Sequence, residues 1–329
     1  MRFSRLLKNS RPMRVSQPPA KASTARIART FGGCLCTLAF LAALQAHPAF
    51  HIDEVVVLSS MKILPYEQIA RGIERELGGA ETSILYMDQD PGAPSRILKM
   101  TPSVILTVGQ DAFKAALPLR GSVPLVFTMV LFPREVLNHP VPGVSGIGMI
   151  PSPQCQLLIL KNGFHFKHVL MFYNPDLTGF LVEYFRGEVP VGMTLTPEPV
   201  ASDAALVRRL EAGLGDADAV LLVPDPTVLT EQGLKSLITS CYGSGVPLVG
   251  FSPMYLRMGA AVTLSVTEEQ TARMAVALAS ASNVNGEQLG GVYYPLSCQI
   301  QVSRKAKSRL GFKVDTTAVR SYGDFEWGD

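Results

Sequence analysis

Cysteine is scarce in this 329-residue sequence and badly spaced for crosslinking. Two of the five, Cys34 and Cys36, lie in an N-terminal apolar run, leaving Cys155, Cys241 and Cys298 far apart. An odd number at wide spacing is not a disulfide framework, and no CxxC pair offers a metal ligand set. The three are expected as buried thiols, and the sequence leaves open whether two of them bridge. Charge is scarce too, at 17% of residues, and unevenly spread: residues 1–30 contain Lys and Arg but no Asp or Glu. Beyond about residue 50 the chain is near neutral to slightly acidic. No basic stripe interleaved with aromatics appears, which argues against a nucleic-acid partner.

Catalytic motifs are missing as well. The glycines of GVSGIG (143–148) fit neither the nucleophile elbow nor the dinucleotide fingerprint, and GFSPM (250–254) lacks the elbow's second glycine. There is no Walker lysine. His165 and His168 stand three apart in GFHFKH without an obvious carboxylate or third ligand, so a surface or loop role is expected for them. No carboxylate pair is placed for acid–base work. The reading is of a protein that is not an enzyme, with no catalytic residue, no metal and no cofactor.

What the chain has is apolar bulk, 47% of residues, with 28 Gly and 24 Pro. The first stretch reads as an export signal covering residues 1–46. A long basic region leads into FGGCLCTLAFLAALQA (31–46), about sixteen residues, short for a stable membrane span and suited to a secretory signal. Export to the periplasm is therefore expected, with an N-terminal membrane anchor as the alternative.

From residue 53 apolar, β-branched runs alternate with amphipathic stretches. The runs fall at 54–60, 82–87, 103–109, 124–130 and 144–150, then at 168–174, 189–196, 218–225, 246–252 and 260–266. They are nearly continuously hydrophobic, as strands covered on both faces must be. Helices are expected near 65–77, 110–117, 153–161, 177–187, 202–213, 229–241 and 267–284. Strand–helix alternation predicts an α/β chain of two Rossmann-like, doubly wound parallel-sheet lobes. Residues 51–150 would form the first lobe, with a return segment at about 267–295. Residues 151–266 would form the second, with the C-terminal segment 296–329. Several crossings between lobes would make a hinge.

In open parallel sheets ligands bind beyond the carboxyl ends of the strands. Those ends carry Ser59, Ser60, Gly109, Gln110, Thr128 and Met129 in the first lobe. In the second they carry Tyr173, Asn174, Asp225, Phe251 and Ser252, with Ser265 near the end of the last strand. Hydroxyls, amides, one carboxylate and aromatic faces suit a small polar molecule. In TVGQDAF (107–113) a strand ends, Gly109 permits a tight turn, and helix-start amides could hold an anionic group. Asp111 as a helix cap is the local alternative. Asp225 in PDPT (224–227) is placed to accept from a ligand amine or to cap a turn.

The segments SVILTVGQDAFKAAL, VPLVFTMVLFP, LLVPDPTVL and VPLVGFSPMYLRMGAAVTLSV, in that order, resemble the substrate-binding proteins of ABC transporters, in particular the group with tryptophan- and tyrosine-binding members. The resemblance runs from about residue 54 to 315. It implies a type I periplasmic-binding-protein fold with a hinge, and a monomer that captures a small solute, an amino acid being the expected class. It also implies delivery to an ABC permease in the inner membrane, with a ligand sensor acting on a signalling partner as the alternative. Carried over by position, its cleft segments fall on Gly109–Gln110–Asp111, Phe127–Thr128–Met129, Tyr173–Asn174, Asp225 and Phe251–Ser252. The chain departs from the pattern in its short link between the second and third strands, its compact stretch after Tyr173, and Ser303 where Asn is usual.

Overall fold

The computed structural model describes residues 54–131, 133, 140–282 and 289–328, so the expected export signal lies outside the described residues. Two sheets form. The first contains β1 (Glu54–Ser59), β2 (Glu81–Tyr86), β3 (Val104–Val108), β4 (Leu125–Thr128), β5 (Val144–Ile147) and, from far along the chain, β11 (Gly291–Tyr293). Their order across the sheet is β11-β5-β4-β3-β1-β2, and every pairing is parallel.

The second sheet contains β6 (His168–Tyr173), β7 (Thr194–Pro199), β8 (Ala219–Leu221), β9 (Leu248–Gly250), β10 (Val262–Ser265), β12 (Cys298–Ser303) and β13 (Gly323–Gly328). Its order is β13-β12-β10-β9-β8-β6-β7, and only β12 on β10 runs antiparallel. The chain is thus α/β with two doubly wound, mostly parallel lobes. Each lobe reverses strand order once, between β1 and β3 in the first and between β6 and β8 in the second.

The central strands are hydrophobic on both sides because both sides are covered. In β1, Val55 and Val57 pack into one core with α1 (Leu64–Leu77) and α9 (Glu268–Ala281). Val56 and Leu58 face the other way, toward α2 (Ala93–Ile97) and α3 (Gln110–Ala116). Each such side chain contributes about 1.5–3 kcal/mol of burial. Helix α1 starts at Pro65 in its first turn and stops at Gly78, which adopts the left-handed conformation (φ 61°). It lies close against α9, where a Cβ on Gly72 would come within 2.8 Å of the Ala272 Cβ.

The second sheet has one continuous core. Its helices are α4 (Pro153–Leu158), α5 (Pro175–Arg186), α6 (Asp203–Glu211), α7 (Glu231–Ser244), α8 (Pro253–Met258), α10 (Arg304–Leu310) and α11 (Thr316–Arg320). Ser303 caps α10, its Oγ accepting from the Ala306 amide at 3.1 Å, so the serine serves as a helix cap.

The chain crosses between sheets three times, at residues 148–152, 266–267 and 294–297. The first and third crossings run side by side: Gly148 N donates to Tyr293 O at 2.9 Å and Ser152 N to Pro295 O at 2.7 Å. The second opens directly into α9 through a reciprocal cap between Thr267 and Gln270.

Thirteen strands form among the described residues, where ten are expected. The additional three come from the C-terminal part. β7 begins at Thr194, five residues later than expected, because Pro190 and Gly192 turn the chain before it. As an edge strand it tolerates Pro197 and Pro199, whose missing donors face away from the ladder. The short link before β3 accommodates α2, a helix of five residues. No helix among the described residues is long and apolar enough to cross a membrane.

Candidate functional site

At the reversal point of the first sheet, β1 and β3 end beside each other. The Ser59 hydroxyl, fully buried, donates to Met61 O at 2.8 Å. Ser60 Oγ accepts the Ala112 amide at 2.9 Å, so it closes the opening turn of α3 from across the sheet. Gly109 holds φ 97° at that turn, and a Cβ there would lie 2.5 Å from Ser60 Oγ and 2.6 Å from Tyr66 Cε2. No side chain caps the helix from its own N-cap position, so Asp111 leaves that role to Ser60. Asp111 is exposed and Gln110 half-buried. Burial, and secondarily the Asp111 charge, push the Tyr66 hydroxyl above the ordinary tyrosine range.

One strand over, Thr128 is fully buried and donates to Thr107 O at 3.0 Å. Met129 follows with φ 55°, a left-handed conformation that costs a bulky residue about 1–3 kcal/mol. Such strain persists where the surroundings over-determine it, and here it lies at a strand end on the cleft.

At the reversal point of the second sheet, β6 ends at Tyr173. Asn174 caps α5, its Oδ1 accepting from the Asp176 amide at 3.0 Å. Asp225 is fully buried and spends both oxygens on the chain itself. Oδ1 accepts from Thr227 N at 2.8 Å and Val228 N at 3.1 Å. Oδ2 accepts from Asn174 N at 2.6 Å and from the Thr178 hydroxyl. A carboxylate with four donors needs no counter-ion. In this arrangement Asp225 ties the PDPT turn to the end of β6. Farther along, Ser252 caps α8, its Oγ accepting from Met254 N at 3.4 Å, and the Phe251 ring lies 4.8 Å from Tyr255.

The carboxyl ends of the two sheets face each other and enclose a cavity of about 230 Å³. Met129 lines it from the first lobe, Gly148 and Met149 from the first crossing, Phe251, Ser252 and Ser265 from the second lobe, and Pro65, Glu268 and Thr271 from α1 and α9. Ser265 Oγ is buried there without a hydrogen-bond partner. A small satellite cavity beside it lies between Val130–Leu131, Phe180 and Tyr294.

Of the twelve expected site residues, the cavity between the strand ends brings together Met129, Phe251 and Ser252. The residues Ser59, Ser60, Gly109, Gln110, Asp111, Tyr173, Asn174 and Asp225 stand at the two reversal points, Thr128 one strand over, and none of them lines it. Sequence reasoning missed Gly148 and Met149, because GIGMI was taken as strand through Ile150 whereas β5 stops at Ile147. The signal was present: Gly-Met ahead of IPSP marks a chain leaving a strand. Among the described residues no group of three or more His, Cys, Asp and Glu could hold a metal ion.

No protein-family model matches the chain, and no curated protein sequence does. Solved structures do. A substrate-binding protein with adhesive properties from Clostridium difficile, in its ligand-free, open form, aligns with a TM-score of 0.60 at 14% identity. A Streptococcus pneumoniae ABC domain in complex with L-Trp aligns at 0.52 and 14%, and a conserved domain protein from Vibrio cholerae at 0.53 and 16%. Each alignment covers 84% of this chain and all of the other. At these identities the likeness establishes the fold, that of type I periplasmic binding proteins.

Proposed function

We propose that this chain is an exported solute-binding protein that holds a small polar molecule between its lobes and presents it to an ABC importer. The observation that carries the reading is the cavity between the facing strand ends, where both sheets turn toward the cleft the side on which such sheets bind ligands. Its volume lies somewhat below the roughly 300–1,000 Å³ of drug-sized pockets, which favours a small solute. The lining supports an amphipathic one: the Phe251 ring and two methionines offer apolar faces, and the hydroxyls of Ser252, Ser265 and Thr271 offer polar contacts. An amino acid fits that description, and the L-Trp complex with the same fold is in keeping with it. The three crossings, two of them hydrogen-bonded together, supply a narrow joint about which the lobes can close.

A thermal-shift screen of the twenty amino acids against sugars, polyols and nucleosides tests this. A solute at about a hundred times its Kd stabilises by about 2.7 kcal/mol, or about 5 °C for a chain of this size. If only a non-amino-acid class raises the melting temperature, the ligand class is wrong. If nothing does, solute binding itself is wrong.

A further inference from the structure

The three described cysteines are all buried, but they are not equivalent. Cys241 lies on α7, where burial pushes its thiol up to about 12. Cys155 and Cys298 are far apart in sequence yet are neighbours in one core, where the adjacent Cys155 thiol and then burial push the Cys298 thiol well up. Their position is specific. Cys155 sits in the first turn of α4, just after the first crossing, and its amide donates to the Ser152 cap at 3.2 Å. Cys298 opens β12, just after the third crossing. These are the two crossings already joined by the bond from Ser152 N to Pro295 O. The thiols therefore meet where both crossings enter the second lobe, in one hydrophobic core.

The geometry points to a disulfide between Cys155 and Cys298, formed when the chain folds under oxidising conditions, that staples the first crossing to the third. One thiolate attacks the disulfide of an oxidant, a thiol–disulfide oxidoreductase or oxidised glutathione, giving a mixed disulfide. The second thiolate then displaces the oxidant's sulfur. The two cysteines lose two protons and two electrons as their S–S bond forms, and the oxidant leaves as its two thiols. Closure precedes final packing, because native Cys155 is only 4% exposed and Cys298 is fully buried. The bridge holds the joint on the second-lobe side and leaves the first lobe free to rotate. It does not depend on what the cleft binds.

The test uses the full chain, refolded with a mixture of reduced and oxidised glutathione, alkylated in denaturant without reductant, digested and mapped by mass spectrometry. The expected product is a peptide pair joined through Cys155 and Cys298, lighter by two hydrogens than its parts and absent after reduction. Recovery of both as alkylated thiols, or of either joined to a different cysteine, overturns the proposal. The melting temperature provides a second readout. Reduction should lower it by about 5 °C or more in the wild type and in Cys241→Ser, and should leave Cys298→Ser unmoved. A Cys298→Ser protein that keeps the full redox dependence also overturns it.

Discussion

At its reversal point the first sheet arranges its strand ends through backbone geometry, whereas the second does so through a buried carboxylate. In the first, Gly109 lets the chain turn under Tyr66, and one serine hydroxyl reaches across to the α3 amide. In the second, Asp225 draws four donors, two from its own turn and two from the start of α5, onto two oxygens. Both lobes share the same strand order around the reversal, so the topology does not dictate the chemistry. The difference lies in where the cost of error falls. A glycine turn fails by steric conflict at one point, but a carboxylate hub fails by orphaning several buried donors at once.

The largest effect should therefore come from Asp225→Ala. Losing charged hydrogen bonds to the PDPT turn and the start of α5 should cost about 4 kcal/mol, measured by urea unfolding. A cost below 1 kcal/mol would break the comparison by showing that the hub is dispensable. Gly109→Ala should follow at about 2–4 kcal/mol, since it adds both strain at φ 97° and overlap with Ser60 and Tyr66. If it exceeds Asp225→Ala, the first lobe is the more brittle of the two. Ser60→Ala should cost about 1 kcal/mol, the usual value of a lost cap. It also sharpens the picture, because Asp111→Ala at the same helix should be nearly neutral.

Ser265→Ala should have the smallest effect on stability, within about 0.5 kcal/mol, because the hydroxyl has no partner to lose. Its affinity for the bound solute, measured by calorimetry, should nonetheless fall about tenfold if that hydroxyl contacts the solute. Unchanged affinity would assign Ser265 to the cavity wall alone.

The α/β class with two doubly wound lobes was legible because runs such as EVVVLS and VILTV are apolar on both faces, which only covered parallel strands require. β12 was not read as a strand, although CQIQVS alternates strictly, with Cys298, Ile300 and Val302 buried and both glutamines turned outward. Its alternation lasts only six residues before the basic helix α10 begins. β13 was hidden for another reason: GDFEWG has glycine at both ends and no fully buried residue, and its pairing partner β12 was itself unrecognised. At the site, strand ends could be located from the sequence, but which of them converge could not. Convergence depends on how the lobes face each other across the three crossings. Hence Met129, Phe251 and Ser252 reach the cavity, while Tyr173 and Asp225, equally at strand ends, do not line it. The four-donor environment of Asp225 was illegible too, because Thr178 and Asn174 lie far from it in sequence.

Native mass spectrometry of the full chain, freshly purified and then exposed to a panel of amino acids and other small solutes, tests solute capture most directly. The expected result is a stoichiometric adduct of one small molecule, present from purification or gained from the panel, and lost on denaturation. A bare-chain mass throughout, with every solute offered well above micromolar concentration, would contradict it.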